Sequence, residues 1–343
     1  TDLYLFVTSK LCIQLYQGIT VYKSPRKMIW PKISIAIPTF NEEKNIKKCL
    51  DSIFSQDYPK DKLEVLVVDD DSTDQTIKIA KKYPVRLLRN GQKHGEIGKM
   101  IGFRAASGKY FMYLDADVEL ISKDFFKQLV IPLEQDIKII ASFTKEGAGP
   151  NSAPIERYLS FDALQRDGLY QWLTPSVEST IIKIFPGYFL CKYSIDKIPP
   201  SGRCLFRRKE LWELTKGFEM FLELDFLKLL VIQNHRLFAF VPKAILYHHH
   251  VTSLKELLRK RKYNLTKVYF SHFQNKLYTW VDWKNPIQLV KLAIWVLYVN
   301  LFFPSLFWGI YKCFKYKSWV GLYEPFVNLL VTDMLIIEIL KTT

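Results

Sequence analysis

Apolar and polar residues fall in blocks along the first half of the chain. "KISIAIPTFNEE" (32–43) is a β-branched run that stops at Pro38 and turns polar. "NIKKCLDSIFSQDY" (45–58) has apolar residues at Ile46, Cys49, Leu50 and Ile53, the spacing of a helix with one buried face. "LEVLVVDDDSTD" (63–74) is a second apolar run, ending in carboxylates. It is followed by "QTIKIAKKY" as a helix, "VRLLRN" as a strand, "GKMIGFRAA" as a helix and "YFMYLDAD" as a strand. Strands alternating with helices predict βαβ units and a parallel sheet. Runs that are apolar at successive positions need cover on both faces. The expectation is an α/β domain built on a doubly wound, mostly parallel sheet. Its polar clusters all sit at carboxyl ends of strands, where such sheets bind ligands. Residues 144–200 are less regular: "KEGAGPNSAP" reads as a loop, and Pro175, Pro186, Pro199 and Pro200 interrupt the later part. Pattern resumes in "GRCLFRRKELWEL", "KGFEMFLELDFLKLLVIQN" and "RLFAFVPKAILYHHH".

Three further stretches read as membrane-associated. Residues 3–22 are mostly apolar and precede the basic "KSPRK", so residues 1–30 are expected to form a membrane-spanning or interfacial helix rather than a cleavable leader. Residues 287–314 contain a single interior cation, Lys291, and 318–340 form a second apolar run carrying Glu324, Asp333 and Glu338. With the short link "KYK" between them, residues 286–343 are expected to be a transmembrane hairpin. "SLKELLRKRKYNLTKVYF" (253–270) is a basic helix, placing an interfacial segment over 251–285 and the α/β domain over 31–250. The net charge of +15 calls for an anionic partner. The apolar helices point to membrane lipid for that partner, and no nucleic acid is expected. Five scattered cysteines without a CxxC pair read as reduced thiols, consistent with a catalytic domain on the cytoplasmic side of a cell membrane.

The carboxylates carry the candidate chemistry. Asp115 and Asp117 occupy alternate positions, so in a regular strand they point to opposite faces. At a strand end the chain can turn and bring both to one hard cation, Mn²⁺ or Mg²⁺. In "VVDDDSTD" one carboxylate can accept from a nucleobase edge, while Ser72 or Asp74 can cap the next helix.

The ordered set "IPTFNEE", "VVDDDSTD", "GEIGKMIGF" and "YLDAD" resembles the family 2 inverting glycosyltransferases of the GT-A fold, over about residues 32–250. The resemblance implies a metal-dependent transferase taking its sugar from a nucleotide-sugar, UDP- or GDP-linked. Pro38, Phe40 and Glu42 would line the base and ribose pocket, Asp70 would meet the base, and Lys99 the diphosphate. Asp115 and Asp117 would be the metal-binding DxD. Inversion by direct displacement needs a general base. Many members use the Asp of an "ED" pair; "FLELDFLKLL" departs from that, leaving Glu223 as first choice and Asp225 as second. One His of 248–250 would complete the site, with His249 favoured. Arg259 and Arg261 are candidates for diphosphate, and Arg203, Arg207 and Arg208 for an anionic acceptor. With the membrane segments, the implied acceptor is a lipid-linked glycan or polyprenyl phosphate. The alternatives are a dolichyl-phosphate-sugar synthase and a non-catalytic subunit that keeps the fold.

Overall fold

The structure, a computed structural model, describes residues 29–200, 203–249, 251–269, 277–279 and 281–341. The N-terminal helix expected over 1–30 lies almost wholly outside them, as does His250. The described strands are β1 (Ile33–Thr39), β2 (Leu63–Asp69), β3 (Arg86–Arg89), β4 (Tyr110–Tyr113), β5 (Val118–Leu120), β6 (Ile139–Gly147), β7 (Ile181–Phe185), β8 (Tyr188–Lys192), β9 (Cys204–Arg207) and β10 (Leu237–His248). They form one sheet in the order β3-β2-β1-β4-β9-β6-β10-β8-β7, with β5 paired to the end of β10. The β3-β2-β1-β4 half is entirely parallel, and β6 runs parallel to β10.

Both faces are covered, as the apolar runs require. Ile33, Ile35 and Ile37 of β1 point to one core, shared with helices Ile46–Phe54 and Phe125–Gln135, while Ala36 points to the other, with Met100 and Phe103 of helix Gly95–Ala105. Each of these large side chains contributes roughly 1.5–3 kcal/mol on burial. The second face brings the helix unusually close. A Cβ on Gly102 would lie 2.4 Å from Ala36 Cβ and 3.3 Å from Val68 Cγ2. Gly102→Ala is therefore expected to destabilise the domain by about 1–2 kcal/mol net, overpacking outweighing the gain in helix propensity. Gly95→Ala, where nothing lies within 4 Å, is the control that should leave the melting temperature unchanged or raised. Equal melting temperatures for the two variants would refute the close packing.

Two elements depart from expectation. The stretch read as irregular contains the antiparallel hairpin β7–β8, extending the sheet beyond β10. Strand β9 inserts antiparallel between β4 and β6, so this half of the sheet is mixed. Neither is announced by period: "CLFR" is four residues long and fully buried.

The apolar stretch 287–314 is two helices, Pro286–Asn300 and Phe303–Tyr316, bent by 81°. Phe302, at φ 56° and ψ −55°, makes a tight γ-turn between them, with Phe303 N donating to Leu301 O at 2.6 Å, and Pro304 sits in the first turn of the second helix. Fifteen residues rise only about 22 Å, short of a bilayer core of about 30 Å. Among the described residues, Trp319–Leu340 is the one helix long and apolar enough by length and composition to cross a membrane, and the bent pair is a second candidate if taken as one broken span. The C-terminal helices are fastened to the α/β domain. Tyr158 Oη donates to Glu324 at 2.6 Å, Lys312 meets the same carboxylate at 2.5 Å, and Ile155, Leu159 and Leu257 pack on Val320, Val327 and Val331.

Candidate active site

The site forms where β1, β2, β4 and β10 end. Leu114 N donates to Ala36 O, continuing the ladder one residue beyond β4, and then the chain turns, closed by Val118 N to Asp115 O at 3.1 Å. That turn frees Asp115 and Asp117 from strand alternation. It also starts β5, which pairs antiparallel with β10 and sets His248 opposite Val118. His248 Nε2 consequently lies 3.2 Å from Asp117 Oδ1 and 3.8 Å from Asp115 Oδ2. The next residue points the other way, as strand alternation demands. His249 Nε2 meets Glu119 at 3.1 Å and Lys48 at 3.3 Å, so His248 replaces His249 beside the aspartates.

Cations from other elements converge on Asp115. Arg203, just ahead of β9, reaches Asp115 Oδ2 at 2.5 Å and Glu146 Oε1, on β6, at 2.8 Å. Lys99, on helix Gly95–Ala105, lies 2.9 Å from Glu96 and 3.9 Å from Asp115, with its ammonium over the Tyr113 ring. Burial pushes Asp115 up, but Arg203, Lys99 and His248 outweigh it and hold the carboxyl well below the usual range. Burial works against the Lys99 charge, yet Glu96 and Asp115 raise its pKa above the ordinary value. Burial likewise opposes His248 ionisation, but Asp117 more than compensates and lifts it to about 9.

Glu223 opens helix Glu223–Ile232 and is held from two strands. Tyr113 Oη donates to its Oε2 at 2.5 Å and Cys204 N to its Oε1 at 3.3 Å. Burial raises its pKa, against the lowering hydrogen bond from Tyr113 and the charges of Arg203 and Lys99. Asp225, one turn edge further on, accepts from Tyr278 N at 2.9 Å and so anchors the chain that follows the basic helix.

The β1 and β2 ends complete the rim. Asp69 accepts from Thr39 Oγ1, Ser72 N and Ser72 Oγ, so it builds the turn. Asp71 pairs with Arg89 through two hydrogen bonds, and Asp70 accepts from Lys93 N at 2.8 Å. Phe40 is exposed beside half-buried Pro38. Glu42 accepts from Asn45, and its pKa is raised by burial and by Asp117 and Asp115 close by. Arg259 is not brought in: its side chain is 75% exposed and its guanidinium lies 3.8 Å from Glu256 on the same helix. Two residues on, the helix turns Arg261 inward to Asp167 at 2.8 Å, and it lines the same cavity as Lys99 and Glu223. Arg207 and Arg208 bind backbone carbonyls, Ile139 O and Gly108 O respectively, and are thereby committed to the fold. Tyr113 and Glu146 escape sequence reading because nothing in their spacing marks a side chain that acts across strands.

The donor set suits a hard divalent ion. One oxygen each from Asp115 and Asp117 and one nitrogen from His248 lie within 4.8 Å of one another, close enough to share one metal ion.

Fold and rim together define a GT-A-type α/β domain. The sequence profile "Glycosyl transferase family 2" matches residues 34–214, and the chain belongs to that family. Among curated relatives, it is 32% identical over 129 residues to the poly(ribitol-phosphate) beta-N-acetylglucosaminyltransferase TarS of Staphylococcus aureus, covering 36% of this chain and 22% of that one. It is 37% identical over 102 residues to a dolichyl N-acetyl-alpha-D-glucosaminyl phosphate 3-beta-D-2,3-diacetamido-2,3-dideoxy-beta-D-glucuronosyltransferase of Methanococcus voltae, covering 28% of this chain and 32% of that one. The chain thus spans about a fifth to a third of the length of these relatives. The solved mannosyltransferase PcManGT of Pyrobaculum calidifontis, in complex with GDP-Man and Mn²⁺, shares the fold with a TM-score of 0.53, covering 97% of this chain and 94% of that one at 17% identity.

Proposed function

We propose that this chain transfers a sugar from a nucleotide-sugar, UDP- or GDP-linked, to a hydroxyl of a lipid-linked acceptor, with inversion. The observation that carries the reading is the meeting of Asp115, Asp117 and His248, with Arg203 and Lys99 linking Asp115 to the field of Glu223, a carboxylate that burial makes more basic. Pro38, Phe40, Glu42 and Asp70 border the nucleoside pocket at the ends of β1 and β2. Asp115, Asp117 and His248 would hold Mn²⁺ or Mg²⁺, which when bound supplies positive charge against the leaving diphosphate. Lys99 and Arg203 add fixed positive charge beside that position, held in place by Glu96, Asp115 and Glu146. Glu223 takes the proton of the attacking hydroxyl; Asp225, committed to Tyr278 N, supports the local chain instead.

Location at a membrane is supported by the Trp319–Leu340 helix and by the wide apolar exposure of Ile287, Leu297, Phe303, Phe307, Phe314 and Leu340. The basic helix Leu254–Tyr263 suits an anionic surface beside it, and the free thiols of Cys49 and Cys191 suit the cytoplasmic side. The names of relatives that act on lipid-linked substrates favour a lipid-linked acceptor. The test is a thermal-shift comparison of UDP, GDP and CDP, each with Mn²⁺. One nucleotide is expected to raise the melting temperature by several degrees, as ligand linkage requires. Equal, negligible shifts for all three would sink the nucleotide-sugar reading.

A further inference from the structure

The C-terminal helices meet the α/β domain at points spread along the chain. Tyr316, at the end of helix Phe303–Tyr316, stacks on Phe161 with ring centroids 4.2 Å apart, and Ser318 Oγ accepts from Arg157 at 3.3 Å. Glu324 accepts from Tyr158 in the first turn of the next helix, Tyr323–Leu340. One turn on, Asn328 lies so close to Gly168 that a Cβ there would be 2.2 Å from its Oδ1. Val331, Thr332 and Leu335 line a cavity together with Lys99, Glu223 and Asp225. Glu338, in the last turn, meets Lys262 of the basic helix at 2.9 Å. Glu324 and Glu338 stand about 21 Å apart along the helix axis, and both are tied to one domain. In a transmembrane hairpin the 315–318 link would emerge on the far side of the bilayer from that domain. Here the link is fastened to it. Threading helix Tyr323–Leu340 through a bilayer in this arrangement would draw the basic helix, with its exposed Lys255, Arg259 and Lys262, into hydrocarbon, where each charge is costly.

The uncovered apolar surface points elsewhere. Leu297, Leu301, Phe303 and Phe307 surround the 81° bend between helices Pro286–Asn300 and Phe303–Tyr316, each 63–68% exposed. No charged residue occurs between Lys291 and Lys312. On the last helix Leu322, Phe326 and Leu330 form an exposed i, i+4, i+8 stripe. We propose that residues 286–341 dock the chain on a single leaflet without crossing the bilayer. The bend at Phe302 enters the acyl region, since arms of about 22 Å reach past one half of a 30 Å core but not through it. The Leu322–Leu330 stripe lies at the acyl boundary, as in an interfacial helix, and the exposed Lys315, Lys317 and Lys341 stay on the side of the α/β domain. This docking rests on the membrane location proposed above and is independent of the transferase chemistry.

The test is labelling of the full chain with a membrane-impermeant maleimide in sealed vesicles that carry the α/β domain outward. Cys12→Ser and Cys313→Ser leave only the buried thiols of Cys49, Cys191 and Cys204. Lys183→Cys, on the exposed edge strand β7, marks the side of the domain. Lys315→Cys, Lys317→Cys and Lys341→Cys are expected to react in intact vesicles as fully as Lys183→Cys, with no increase after detergent. Protection of any of the three until detergent is added overturns the proposal. A nitroxide on Phe307→Cys should be reached by oxygen and shielded from a water-soluble nickel chelate, and one on Lys315→Cys should show the reverse. Equal access of the chelate to both sites overturns insertion of the bend. All these positions are exposed, so the substitutions leave the packing intact. Wild-type chain that stays in solution when vesicles are floated refutes the membrane location and this docking with it. Membrane-bound chain labelled from opposite sides refutes the docking alone. Binding of UDP or GDP with Mn²⁺ judges the transferase reading separately.

Discussion

Glu223→Gln is expected to lower sugar transfer by about 10²–10⁴-fold, the usual worth of a positioned general base, while leaving nucleotide binding nearly unchanged. Glutamine keeps the shape: its carbonyl oxygen can accept from Cys204 N while its NH2 donates to Tyr113 Oη, whose hydroxyl can rotate, so the fold should survive. Asp225→Asn should cost far less in rate and more in stability, because its carboxylate holds the Tyr278 backbone. The pH profile adds an independent check. A base works ionised, so kcat/KM falls as pH falls through its pKa. Burial sets the Glu223 pKa above 4.5, so the fall begins at a higher pH than for an ordinary carboxylate. Tyr113→Phe deletes a hydrogen bond that lowers this pKa, so the acid limb should move further upward. An acid limb that stays put in Tyr113→Phe, or that persists unaltered in Glu223→Gln, would assign the base to another residue.

Asp117→Asn is expected to reduce transfer on the order of a thousandfold, since a bound divalent ion supplies several kcal/mol of charge stabilisation. Asp117 is a cleaner choice than Asp115. It meets His248 at 3.2 Å, whereas Asp115 also compensates the buried guanidinium of Arg203 at 2.5 Å and lies 3.9 Å from Lys99. Losing Asp115 would leave Arg203 and Lys99 short of counter-charge inside the protein, mixing instability with lost chemistry. Mn²⁺ titration followed by electron paramagnetic resonance gives the companion readout: wild-type protein should bind the ion and Asp117→Asn should bind it far more weakly. Wild-type turnover in Asp117→Asn, or turnover undiminished by exhaustive chelation, counts decisively against a metal-assisted reaction.

Much of the rim is legible in one dimension because β1, β2 and β4 are parallel and each ends where its apolar run ends. Thr39, Asp69 and Asp115 follow those runs directly, so order along the chain becomes adjacency in space. The antiparallel half hides its contribution. β9 is four residues long, and the β7–β8 hairpin lies in a proline-interrupted stretch, so neither carries a period to read. The histidine shows the limit most plainly. Three identical residues in "HHH" are indistinguishable until the pairing of β5 with β10 decides which face each takes. A single step of register separates His248 beside the aspartates from His249 on Glu119. Likewise the charge of "LLRKRKY" is obvious in sequence, but only the helix phase turns Arg259 to solvent and Arg261 to Asp167.

The sequence by itself determined the α/β class, the family likeness, and the pair of carboxylates at the end of an apolar strand, because these are local properties of period and composition. Only the tertiary structure decided which histidine joins that pair, that Tyr113 and Cys204 hold Glu223, and that 287–314 bends rather than runs straight. It also decided that two C-terminal helices leave an apolar cavity open toward the base. Each depends on contacts between residues far apart in the chain, where burial, register and helix phase, rather than residue type, choose the partner.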